Sequence, residues 1–70
     1  MKSAGEKIKE LRLKNNLNKK EIAEKLGISA RTYAKYENGE SKMPIKILIK
    51  LCLYYNISAD YILGLKKPKE

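Results

Sequence analysis

Only two residues, Gly27 and Ile28, separate a segment whose pattern must stop at Leu26 from one whose pattern restarts at Ser29. The first segment, Lys19 to about Leu26, is preceded by Asn18, with Glu21 three positions further on. That pair closes a helix N-terminus reciprocally, each side chain bonding the other's backbone N–H. Ile22, Ala23 and Leu26 recur at helical spacing, and Gly27 follows where a left-handed residue ends a helix. Ser29 is an N-cap residue type, and the run ARTYAKYE after it stops at the turn signal Asn38-Gly39. A connection this short cannot fold two helices back into an antiparallel hairpin. It forces them to cross steeply around a glycine-containing turn.

The rest of the chain is arranged around that pair. A first helix is predicted from Ala4 to Lys14, with Ser3 and Glu6 as its capping box and Ile8 and Leu11 on one face. Asn15-Asn16 ends it, since asparagine tolerates the left-handed conformation. After a polar loop, Glu40 to Met43, Pro44 opens a fourth helix that continues to about Tyr55, and Asn56 ends it. Ser58 caps a last short helix, Ala59 to Leu63, with Asp60 near its N-terminus and Gly64 closing it. No segment alternates with period two. The expectation is an all-α, compact five-helix bundle: one domain over 1–65 and a basic tail over 66–70.

Composition narrows the function. Seventy residues hold one core and no more. Cys52 is the only cysteine and there is no histidine, so no internal disulfide and no zinc ligand set is available. Cys52 reads as a small buried hydrophobe. Sixteen Lys and Arg against eight Asp and Glu give a net charge of +8, which favours a polyanionic partner, nucleic acid before anionic membrane. The longest apolar-rich stretch, Ile45 to Tyr55, is interrupted by Lys46 and Lys50 and falls short of the ~20 residues of a membrane span. The N-terminus has no signal-peptide run. A cytoplasmic protein is expected, with no membrane partner, no cofactor and no small-molecule ligand. Nor is an enzyme expected, because no nucleophile–base set exists and the acids are scattered over helix surfaces.

In the segment 19–38, Ala23 is small where the third helix must approach, and Ile28 fills the space beneath the turn. Tyr33 and Tyr36 put apolar surface on the inward face of the third helix, with the Tyr33 hydroxyl expected to reach solvent. Ala30, Arg31, Ala34 and Lys35 are left facing outward. Small residues permit close approach and long donors reach base edges, which is what a major-groove reader needs.

These features carry a resemblance. IKELR, then LNKKEIAEKLGIS, KYENG, LIKL and ISADYILG stand in the order and at the spacing of the lambda-repressor/Cro-like family, the Xre-type helix-turn-helix regulators of bacteria and phages. The match covers about residues 5–65. It implies sequence-specific binding of double-stranded DNA and transcriptional regulation, most often repression at a palindromic operator. It places base contacts at Ala30, Arg31 and Lys35, and phosphate contacts at Asn18, Lys19, Lys20, Ser29, Thr32 and Asn38. It also implies a structural ion pair between Arg12 and Glu37. Several positions depart from the pattern. Pro44 replaces the usual polar N-cap, Ile45 stands where some relatives carry a basic minor-groove reader, and Glu40 stands where relatives often have lysine.

The fourth helix is apolar over more than one stripe, more than a surface helix of a bundle requires. Its surplus, with Tyr61, Leu63 and Leu65, is a candidate two-fold interface, so a homodimer is expected at least on DNA. An antitoxin with the same DNA-binding fold, holding a protein partner on the fourth and fifth helices, is the alternative function.

Overall fold

The computed structural model describes residues 3–63, the last by its backbone alone. Five helices appear in order: α1 (Ala4–Lys14), α2 (Lys19–Leu26), α3 (Ala30–Asn38), α4 (Ile45–Tyr55) and α5 (Ala59–Leu63). The described residues contain no strand, and none of their helices is long and apolar enough to cross a membrane.

Local chemistry sets the helix ends. Both capping boxes form: the Glu6 N–H donates to Ser3 Oγ at 3.2 Å and the Ser3 N–H to Glu6 Oε1 at 2.9 Å. At α2 the Glu21 N–H donates to Asn18 Oδ1 and the Asn18 N–H to Glu21 Oε1, both at 2.8 Å. Gly27 closes α2 at φ 76°, and its left-handed conformation lets the Ile28 N–H donate back to the Ala23 carbonyl at 3.0 Å. Asn56 ends α4 in the same conformation, at φ 58°. Pro44 stands at the N-cap, with ψ 152°, in place of a polar cap residue, so the helix opens one residue later, at Ile45, and the proline ring offers no cap bond. The carbonyl of Pro44 instead accepts from the Ile47 and Leu48 N–H groups at 3.0 Å.

The core is one cluster drawn from all five helices: Ile8, Ile22, Ala23, Leu26, Tyr33, Ile47, Leu48, Leu51 and Ile62. Leu17 and Ile28, from the two turns flanking α2, pack against it, and Cys52 is half-buried at its edge. α3 lies against both α1 and α2, while α4 meets α2 and α5. The helix after the short turn is thus braced from two sides and has one face left for solvent.

Candidate nucleic-acid interface

α3 starts where Ser29 Oγ accepts the Thr32 N–H at 3.1 Å and donates to Thr32 Oγ1 at 3.0 Å. It stops at Gly39, φ 76°, after which the Glu40 N–H donates to the Lys35 carbonyl at 2.9 Å. Between these ends the faces divide sharply. Tyr33 and Glu37 are buried, whereas Arg31, Lys35 and Asn38 are exposed. The exposed three are spaced i, i+4, i+7 and therefore form one stripe along the helix. Ala30, Thr32, Ala34 and Tyr36 are half-buried at the margins. Ala30 packs partly against the core, so it presents less of its methyl outward than the helical pattern suggests.

The inner face is held by a pairing across 25 positions of sequence. Arg12 Nε donates to Glu37 Oε2 at 2.7 Å and Nη2 donates to Oε1 at 3.3 Å. The third guanidinium nitrogen, Nη1, donates to the Leu17 carbonyl at 2.9 Å, tying α1, the following turn and α3 together. The hydrogen bonds that Arg12 donates to Glu37 push the Arg12 pKa up, so the guanidinium stays charged. Such a fork fixes orientation better than a single point contact.

Tyr33 corrects an expectation. Its hydroxyl does not reach solvent: the residue is 0% exposed, and the buried oxygen has no hydrogen-bond partner among the described residues. The reason is depth, since the ring projects straight into the cluster beneath α3. Burial pushes the Tyr33 phenol far up, and Glu37 adds to the effect. Tyr55, on α4, is likewise pushed up to about 12 by burial. Both rings stay neutral at physiological pH.

Two contacts had weak or no sequence signals. Gly5 lies in α1 where α3 crosses it, and a Cβ there would run into the Glu37 carbonyl oxygen and stand 2.7 Å from that of Tyr36. A glycine inside a helix is the only hint the sequence offers, and it does not say what comes close. Lys50 Nζ donates to the Leu26 carbonyl at 3.1 Å, completing the C-terminus of α2 from α4. No local pattern encodes a cap supplied from 24 positions away.

The remaining candidates fall into groups. Asn18, Lys19 and Lys20 stand together at the N-terminus of α2, with the Asn18 oxygen committed to its cap. Among the described residues, Lys19, Lys20, Arg31 and Lys35 have no acidic partner. Tyr61 is exposed on α5, where Lys7 Nζ donates to its carbonyl at 3.0 Å and lies 5.5 Å from its ring centre. A shallow groove beside it is lined by Leu11 and Leu13. Leu65 and the side chain of Leu63, the other expected interface residues, lie outside the described residues.

Comparison with known proteins yields consistent matches. The family model described as Helix-turn-helix matches residues 8–62. The chain is 38% identical over 60 residues to the uncharacterized HTH-type transcriptional regulator YobD of Bacillus subtilis, covering 86% of this chain and 54% of that protein. It is 40% identical over 62 residues to the HTH-type transcriptional regulator ImmR of the same organism, covering 89% of this chain and 49% of that one. The chain thus spans about half the length of these relatives. Among solved structures, the P22 c2 repressor protein in complex with synthetic operator 9T superposes with a TM-score of 0.86 at 23% identity, over 94% of this chain and 100% of that chain. This last likeness is one of fold.

Proposed function

The chain belongs to the helix-turn-helix family, and from that premise we propose that it binds double-stranded DNA sequence-specifically as a transcriptional repressor reading a palindromic operator through the major groove. One observation carries the reading. α3 is clamped on its inner side by Arg12, Glu37 and Tyr33, while Arg31, Lys35 and Asn38 line its solvent side with no acidic partner among the described residues. Arg31 is the leading base reader, because a guanidinium bonds guanine O6 and N7 with two parallel hydrogen bonds. Lys35 lies one turn further along, and Ala30 leaves room for close approach. Asn18, Lys19, Lys20, Ser29, Thr32 and Asn38 set register on the phosphates, which supply affinity without sequence information.

A two-fold pair of copies fits this role. Two copies of α3 spaced about one DNA turn, ~34 Å, read the halves of a palindrome. The exposed Tyr61 beside Leu11 and Leu13 supports a self-association surface at α1 and α5. The proposed activity is binding in the cytoplasm without catalysis. A second reading, an antitoxin with the same DNA-binding fold, draws on the exposed aliphatic residues of α4, which leave a face for a protein partner. A toxin gene next to this one would decide for it.

Selection of bound sites from random DNA tests the main reading. A palindromic consensus is expected. Arg31→Ala should then lose discrimination at one base pair, by about 1–3 kcal/mol, while Lys19→Ala weakens all sequences alike and flattens the salt dependence. Equal losses for both variants on every sequence would overturn the division between reader and anchor.

A further inference from the structure

Among the described residues, two buried side-chain oxygens have no hydrogen-bond partner, Tyr33 Oη and Tyr55 Oη. A buried hydroxyl left so forfeits the bonds it makes to water in the unfolded chain, and folded proteins satisfy nearly all such groups. The two phenols come from different helices, Tyr33 from the middle of α3 and Tyr55 from the end of α4. They meet at the Arg12–Glu37 pair. Tyr33 and Glu37 stand one turn apart on the buried face of α3. After burial, which is the largest cause, the Tyr33 phenol is raised by Glu37 and Tyr55. After burial and Tyr54, the Tyr55 phenol responds to Arg12 and Glu37, so all four groups share one interior region. The carboxylate there has acceptor capacity to spare. Arg12 Nε and Nη2 each occupy one oxygen of Glu37, at 2.7 and 3.3 Å. A carboxylate offers about four acceptor sites, so about two stay open.

We infer that one buried water joins the Tyr33 and Tyr55 hydroxyls to the Glu37 carboxylate, which makes Tyr55 a positioning residue for α3. Water suits this set of groups. It accepts from both hydroxyls and donates to the carboxylate, which gives it the ~3 bonds usual for an internal water. The bridge adds a directional tie where burial supplies little, since α4 packs chiefly on α2 and α5. It also extends the clamp on the inner side of α3, from Arg12 of α1 to Tyr55 of α4. Resting on the proposed DNA reading, one consequence follows: a hydroxyl on the inner side of the bundle helps to hold the Arg31 stripe in register.

Tyr33→Phe and Tyr55→Phe keep both rings and delete only the oxygens, so bridged and orphaned hydroxyls differ in the sign of the effect. With the bridge, each variant lowers the folding equilibrium constant in urea by about fivefold. The double variant then loses less than the product of the two, because both deletions empty the same water site. Orphaned hydroxyls give the reverse, a gain in stability for each variant, and that result overturns the proposal. A crystal structure of the full chain should show the water within hydrogen-bond distance of both hydroxyls and Glu37. A direct bond from either phenol to Glu37, with no water between, equally overturns it. For positioning, Tyr55→Phe should shift the amides of Arg31 and Lys35 in the free protein. Tyr54→Phe is the control, since Tyr54 is exposed although its ring lies edge-on to Tyr55 at 5.2 Å. Equal shifts in the control refute a positioning role. On DNA, Tyr55→Phe should lose about threefold in preference for a selected site over random DNA, with its affinity for random DNA unchanged. Equal loss on both refutes positioning. A parent chain that binds no DNA refutes the proposed function instead, and the crystal and stability readouts still decide the bridge.

Discussion

α3 and α4 are successive helices held by different balances of directional bonding and burial. α3 is weakly apolar, yet both of its ends are closed, Ser29 at one and Gly39 at the other, and its buried carboxylate is matched atom for atom by Arg12. α4 is the most apolar element, has no side-chain cap at its start, and is held by burying Ile47, Leu48 and Leu51. Burial is non-directional, so a helix held by burial can slide or rotate a little without losing much. A forked ion pair and a backbone-to-backbone crossing tolerate far less. The helix on whose orientation the proposed DNA reading depends is the one fixed by the forked ion pair, while the more apolar helix carries the spare surface.

Substitutions can break that contrast. The largest effect is expected from Glu37→Ala, which strands the Arg12 guanidinium in a buried site and should destabilise by about 3–5 kcal/mol in urea unfolding. A loss below ~1 kcal/mol would mean the pair orients α3 without being needed for the fold. Gly5→Ala comes next. The new methyl meets backbone, which cannot rotate aside, so a loss of about 2–3 kcal/mol is expected, together with chemical-shift changes along α3. Ser29→Ala should remove about 1 kcal/mol by leaving the Thr32 N–H without its acceptor. Leu53→Ser, on the exposed face of α4, should change stability by no more than about 0.5 kcal/mol, read in the same unfolding experiment. If Leu53→Ser cost as much as Ser29→Ala, that face would be part of the folded chain's own packing.

Most of the architecture was legible because it is written locally. Ser3 with Glu6, Asn18 with Glu21, and Gly27 between two apolar patterns each act within four residues, and the structure forms all three arrangements. Local pattern failed where distance in sequence was large. Gly5 matters because of the Glu37 and Tyr36 carbonyls, and Lys50 matters because of the Leu26 carbonyl, and none of these partners is visible from its neighbourhood. The Tyr33 error has the same origin. Periodicity states which way a ring points, but only the packed cluster states how deep its hydroxyl ends. At the candidate interface, the exposure of Arg31, Lys35 and Asn38 follows from the helical period, while the half-burial of Ala30 depends on how closely α3 settles on the core.

The two left-handed glycines that bracket α3, both at φ 76°, have a consequence for information. They confine the reading helix to nine residues. At 1.5 Å per residue that is about 13 Å, the length of roughly four base-pair steps at ~3.4 Å each. Four positions specify at most about one site in 250, against the ~10⁶ or more competing sites of a genome. Lengthening α3 is closed off at both ends, so the proposed function needs a second reading element for a longer address, and a second copy of α3 supplies one.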